Sequence, residues 1–231
     1  MITYETFLQN LDLIEQNIEN ACKRSGRQRS SVTLLPITKT HPVEIIKYVV
    51  QSGLESIGEN RVQEAVEKKL LLGSSSSLKW ELVGHLQSNK VLLAIETFDR
   101  IQTIDNEKLL RKLHTAATIK NKNIPILIQV NAGKDPAKFG VELENVDKLL
   151  ELALTLKNIQ VDGLMTIPPL SADIAVAERT FDTLRNTRDR LIEQFKVPLP
   201  HLSMGMSNDY VQAIEAGSTI IRIGKRLLTS I

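Results

Sequence analysis

Apolar residues along this chain recur in two rhythms. Between residues 4 and 24, Phe7, Leu11, Ile14, Ile18 and Ala21 stand three and four apart, the stripe of an amphipathic helix that Ser25-Gly26 ends. After it, short β-type runs alternate with longer helical patterns. The runs are VTLLPIT (32–38), ESIG (55–58), LKWELVG (78–84), RIQTI (100–104), PILIQVN (125–131), VDGLMTI (161–167), PHLSMGM (200–206) and STIIRIG (218–224). Helical stretches begin near Pro42, Asn60, Ser88, Asn106, Leu143, Asp173 and Asn208, several on residues that suit helix starts. Gly53 and Gly217 close two of them, as glycine does just past a helix end.

Eight strands alternating with helices predict an α/β fold, a closed (β/α)8 TIM-type barrel with an additional N-terminal helix. An open doubly wound sheet is the alternative. It calls for a glycine-rich fingerprint after its first strand, and here a proline, Pro42, follows instead. The chain reads as one domain over residues 1–231, with the helix in 1–26 and the barrel in 32–226. The extra helix is expected either to serve as the final outer helix or to cover one barrel mouth. Residues 73–77 read as a flexible loop within that domain.

Composition narrows the classes. The 231 residues are 42% hydrophobic, and 29 basic against 27 acidic residues leave a net charge of +2. So balanced a chain calls for neither nucleic acid nor a membrane surface as partner. Arg185, Arg188 and Arg190 fall in a periodic stretch and read as a solvated helix face. The lone cysteine, Cys22, excludes an internal disulfide framework and suits a reducing cytosol. No apolar run reaches membrane-spanning length, and the start lacks the basic and apolar regions of a signal peptide. The expectation is a cytoplasmic protein, monomeric by default.

A barrel gathers whatever follows its strands around one rim. Those positions hold Lys39, Glu59, Asn60, His85, Asn131, Thr166 to Pro168, Ser207, Asn208 and Gly224. Lys39, at the carboxyl end of VTLLPIT, is either a residue returning the chain to solvent or an amine poised for Schiff-base chemistry. Partial loss of water would favour the neutral, nucleophilic form. After strand seven, SMGMSND offers Gly205 for a turn and Ser207-Asn208 to open a helix whose free N–H groups favour an anion. After strand eight, Gly224 lets backbone approach a ligand. Barrels place phosphate at these two loops. Arg222 shares a strand face with Gly224 and points inward by alternation. Its partner there is either a carboxylate such as Glu59 or a ligand atom. An amine, a phosphate cradle and an inward arginine together fit pyridoxal 5′-phosphate (PLP). The histidines show no metal-ligand spacing, and no G-x-S-x-G or Walker A pattern occurs.

The segments PITKTHP, IGENRVQEA, LVGHLQSNK, IQVNAGKDPAKFG, GLMTIPP, LSMGMSNDY and AGSTIIRIG, spread in order from about residue 5 to 226, resemble the pyridoxal phosphate homeostasis protein family. The resemblance implies a PLP-loaded barrel similar to the N-terminal domain of alanine racemase. It implies Lys39 as the site of a covalent aldimine, and Asn60 near the cofactor ring. It also implies Ser207 with the N–H groups of Gly224 and Lys225 at the phosphate, and Arg222 at the pyridine nitrogen. Three departures stand out: Thr38 replaces a serine, Lys225 stands where a threonine is frequent, and the chain ends in RLLTSI.

Two functions remain in view: a PLP carrier acting in intracellular homeostasis, and an amino-acid racemase or decarboxylase of the same barrel type. An arginine on the pyridine nitrogen keeps its proton and leaves the ring a weaker electron sink. Alanine racemase shares that pairing, so it does not decide alone. The eight strands consume the chain, leaving no second domain for an opposing acid or base. Tyr4, Tyr48 and Tyr210 all fall on predicted helices. The expectation is therefore a non-enzymatic carrier, with PLP-dependent apo-enzymes as recipients.

Overall fold

The apolar runs become eight parallel strands: β1 (Thr33–Pro36), β2 (Ser56–Glu59), β3 (Lys79–Leu82), β4 (Arg100–Ile104), β5 (Ile124–Gln129), β6 (Ile159–Met165), β7 (His201–Ser203) and β8 (Ile220–Ile223). The computed structural model describes residues 2–73 and 77–230. The loop expected over 73–77 therefore falls largely outside the described residues. Hydrogen bonding runs in the order β1-β8-β7-β6-β5-β4-β3-β2, and a parallel bridge between Ile37 and Gly58 joins the two ends. The result is a (β/α)8 barrel.

The seam between β1 and β2 has a cause in the sequence. Along β1 and just past it, Thr33 donates to Thr219, the residue before β8, and Ile37 to Ile223 of β8, while Thr38 donates to Gly58 of β2. Even-numbered positions thus face β2, and Pro36 is one of them. Proline has no N–H, so the seam loses that bond. It is held instead at its carboxyl end, where Thr38 N–H reaches Gly58 C=O at 3.1 Å.

Around the barrel stand α1 (Tyr4–Arg24), α2 (Val43–Gln51), α3 (Val62–Leu72), α4 (Val91–Thr97), α5 (Glu107–Ile119), α6 (Val146–Leu154), α7 (Ile174–Phe195), α8 (Tyr210–Glu215) and the short α9 (Lys225–Leu228). Side-chain caps fix three starts: Thr3 Oγ1 accepts from Thr6 N–H, Asn106 Oδ1 from Leu109 N–H and Asp173 Oδ1 from Ala175 N–H. Gly53 and Gly217 follow α2 and α8 with φ of 82° and 104°, the left-handed turn expected there.

Of the two roles open to α1, the structure shows the outer one. The helix packs on α8 and α9, and its Tyr4 and Phe7 rings lie 5.3 and 6.1 Å from that of Tyr48 on α2. It fills the outer position that α9, with four residues, is too short to occupy. Phe7, Ile18 and Cys22 are buried in this packing, each large apolar side chain contributing roughly 1.5–3 kcal/mol. Asn10 ties α1 to the chain end by donating to the carbonyls of Leu227 and Thr229.

Two cores result. The larger lies between strands and helices, and a smaller one inside the barrel holds Leu35, Ile37, Val83, Leu127, Met165 and Ile220. The lumen is polar as well as apolar. Arg222 donates to Ser203 Oγ at 2.8 Å, Ser203 to Gln102 Oε1 at 2.6 Å, and Gln102 to Glu81 Oε2 at 2.6 Å. Arg100 stands beyond, 3.6 Å from Glu81 and 3.3 Å from Asp162.

Candidate functional site

At the carboxyl ends of the strands lies a cavity of about 430 Å³. Lys39, Asn60, Ser207, Arg222, Gly224 and Lys225 all line it. Four separate strand ends deliver them: β1, β2, β7 and β8.

Lys39 follows the seam bond of Thr38. Its side chain is exposed, whereas the sequence suggested an amine partly stripped of water. The strand ends at Pro36 and the chain turns outward at once, with His41 N–H bonding back to Thr38 C=O. Thr40 carries φ of 63°, a left-handed conformation costly for a β-branched residue. Asn60 enters from β2, and its backbone carbonyl packs against Gly84, where a Cβ would lie 2.1 Å from the oxygen. Only glycine fits there.

Arg222 is 4% exposed. Its partners are Ser203 Oγ and the Thr166 carbonyl, both at 2.8 Å. The pairing with Glu59 that the sequence left open does not occur. Glu59 lies across the barrel wall and takes bonds from Thr38 Oγ1 at 2.6 Å and Lys68 Nζ at 2.7 Å. Burial pushes the Arg222 guanidinium down to about 10, with Asp209 opposing, so it stays charged at neutral pH. Among the described residues it has no carboxylate at ion-pair distance, and it faces the cavity.

The β7–α8 loop departs from the expectation that Ser207-Asn208 open the helix. The helix begins at Tyr210. Asp209 Oδ1 accepts from Met206 N–H at 2.6 Å, and Asp209 and Tyr210 N–H return to Met206 C=O, so Ser207 and Asn208 stay in a tight turn. Burial raises the Asp209 carboxyl above its ordinary value, against the Met206 bond and the Arg222 charge. Ser207 Oγ accepts from Arg226 N–H at 3.3 Å, joining this turn to the start of α9. The N–H groups of Ser207, Asn208, Gly224 and Lys225 have no acceptor among the described residues. Four such donors, a hydroxyl and the exposed Lys225 suit an anion.

Other rim residues serve the framework. His85 stacks on Phe139 at 4.0 Å, Asn131 bonds the Asp135 backbone and Glu142, and Thr166 donates to Val130 C=O. Missed by the sequence reading were Ser203 and Asp209, which orient the site, and Glu64 and Lys68, which grip the Lys39 segment. Asp209, three residues after Met206, carried a readable signal, the spacing of a side-chain turn. Glu64 and Lys68 carry no such signal, since a Glu–Lys pair four residues apart is ordinary on a helix surface. Among the described residues no group of acidic, histidine or cysteine side chains is arranged to hold a metal.

An amine at one edge, a buried cation in the floor and an anion-binding loop pair at the other edge suit a flat ligand with a carbonyl and a phosphate. Comparison with known proteins agrees. The alanine racemase N-terminal domain family matches residues 9–229. The pyridoxal phosphate homeostasis protein of Aquifex aeolicus is 41% identical over 219 residues, covering 95% of this chain and 96% of its own. PipY of Synechococcus elongatus PCC7942, solved with PLP bound, superposes with a TM-score of 0.82 at 33% identity, over 92% of this chain and all of that one. Alanine racemase of Clostridium difficile 630 shares the fold, with a TM-score of 0.76 at 14% identity, over 96% of this chain and 56% of the enzyme. The chain therefore belongs to the alanine racemase N-terminal domain family and, within it, to the pyridoxal phosphate homeostasis proteins.

Proposed function

We propose that the chain binds PLP through Lys39 and works in PLP homeostasis as a carrier, without robust turnover of its own. The observation that carries this reading is the shared cavity. It joins an accessible amine, a buried guanidinium free of any carboxylate partner among the described residues, and four unengaged backbone donors. The residues fit the cofactor. Ser207 Oγ and the N–H groups of Gly224 and Lys225 would hold the phosphate, Arg222 the ring nitrogen, and Asn60 the ring. When bound, PLP supplies an aldehyde with which a lysine amine condenses to a C=N bond, losing one water.

The chain's own groups favour holding over turnover. Arg222 keeps its proton at the guanidinium, so a nitrogen accepting from it stays unprotonated. Its orientation is fixed by the directed series Arg222 to Ser203 to Gln102 to Glu81, each link a donor to the next. Lys39 is exposed, so a second amine would have access to it, as release from a carrier requires. The same reading takes residues 1–231 as one PLP-binding barrel domain, monomeric and cytoplasmic, with PLP-dependent apo-enzymes as recipients.

The test incubates the loaded protein with each common amino acid in deuterated water and follows α-hydrogen exchange. A carrier gives exchange near that of free PLP. Exchange on the order of 1 per second or faster contradicts the carrier reading and favours the racemase.

A further inference from the structure

Both peptide groups that flank Lys39 are gripped by side chains of α3. Lys68 Nζ donates to the Thr38 carbonyl at 2.8 Å, and Glu64 Oε1 accepts from Thr40 N–H at 2.6 Å. The two grips are linked, because Lys68 Nζ also donates to Glu64 Oε1 and to Glu59 Oε1, each at 2.7 Å. All three ammonium donors are thereby spent, in a side chain 7% exposed. Glu59 is fully buried, and its second oxygen has no hydrogen-bond partner among the described residues. A buried cluster of this kind is expensive to assemble.

What it holds is strained. Thr40, with φ of 63°, is a β-branched residue in left-handed space. Such outliers persist only where their surroundings over-determine them, and they gather at working sites. The place matters too. The segment leaves β1 just beyond Pro36, where the β1–β2 seam lacks a backbone donor, and Thr38 closes that seam through Gly58 and Glu59. Beyond the Thr38–Gly58 bond and the turn closed by His41 N–H, the cluster supplies the side-chain contacts that fix the direction of Lys39.

We propose that Glu59, Lys68 and Glu64 act as positioning residues. They hold Thr40 in its strained conformation so that Lys39 projects into the cavity. The inference rests on the PLP reading of the same site. It assigns to α3 a task that its Glu64–Lys68 spacing does not disclose.

The test uses the full chain freed of PLP and then supplied with it. Attachment is followed by visible absorbance and by borohydride fixation with peptide mapping, while the melting temperature of the PLP-free protein reports the fold. Glu64→Ala should slow attachment to Lys39 by between about tenfold and a hundredfold, from the strain left unopposed and the amine misplaced. Glu64→Gln keeps an acceptor for Thr40 N–H and should fall between this variant and the wild type. The decisive variant adds Thr40→Gly to Glu64→Ala. Glycine adopts positive φ without the grip, so the double variant should recover most of the lost rate. A merely structural role would move the melting temperature and leave the attachment rate of the folded protein unchanged. A wild-type attachment rate in Glu64→Ala, or no recovery in the double variant, overturns the proposal. Wild-type protein that attaches PLP elsewhere than Lys39 overturns the PLP reading, and this inference with it.

Discussion

Ser207 serves two loops through one oxygen, accepting from Arg226 N–H while its hydroxyl proton remains available to an anion. Hydrogen bonds to charged acceptors contribute about 1.5–3 kcal/mol. Ser207→Ala should therefore weaken PLP roughly tenfold to a hundredfold and leave pyridoxal, which lacks the phosphate, nearly unchanged. Equilibrium titration with both ligands distinguishes the outcomes, and equal losses would remove the hydroxyl from the anion site. Arg222 offers a second check. Arg222→Glu replaces a donor by an acceptor beside the Thr166 carbonyl and Ser203 Oγ, so the melting temperature should fall. In the variant that still binds PLP, a carboxylate favours a protonated ring nitrogen. Its α-hydrogen exchange should rise above wild type; unchanged exchange would mean that Arg222 is not what restrains reactivity. Lys39 was legible from its place at a strand end, but its exposure was not, because a sequence does not say how soon a strand's last residues turn outward.

At the scale of elements, the strands and helices were legible because both periodicities are strong. α1 matches its predicted span of residues 4–24, and β4 its span of residues 100–104. The shorter strands differ for local reasons. β7 stops at Ser203, short of the predicted 206, because Gly205 bends away with φ of 94°. α8 starts at Tyr210 rather than near Asn208 because Asp209 captures the Met206 N–H first. The seam at Pro36 depends on which neighbour each N–H faces, and only the assembled sheet reveals that. Gly84 links an element to the site, since its surface receives the Asn60 backbone. Gly84→Ala should force the start of the β2–α3 connection outward, destabilising the fold by about 1–3 kcal/mol as overpacking does and weakening PLP. Thermal melting and PLP titration together test this, and an unshifted melting temperature would show that the contact yields freely.

Over the whole molecule, the alternation of strand faces brings distant residues into one lumen. Gln102, Ser203 and Arg222 share no sequence spacing, yet they meet because the inward positions of β4, β7 and β8 converge. The sequence offered Glu59 as a partner for Arg222 because a buried cation needs one; the convergence supplies Ser203 instead. The opposite mouth carries a pH dependence. Burial lowers the His201 imidazole below its ordinary value of 6.5, as does Arg100, against Asp162. A base with a depressed folded value contributes stability that is present above the unfolded value and lost as pH falls through the folded one. Unfolding free energy should therefore decline below about pH 6.5, and His201→Gln should flatten that part of the profile in denaturant titrations. A profile identical to wild type would exclude His201 as the group responsible. The central claim, that this barrel carries PLP on Lys39, is tested most directly by reducing the PLP-loaded protein with borohydride and mapping the fixed label. The account predicts a yellow protein whose single labelled peptide contains Lys39, and a Lys39→Ala variant that folds without the covalent band. A label on Lys225, on Lys138, which also lines the cavity, or on any other lysine, or none at all, would contradict it.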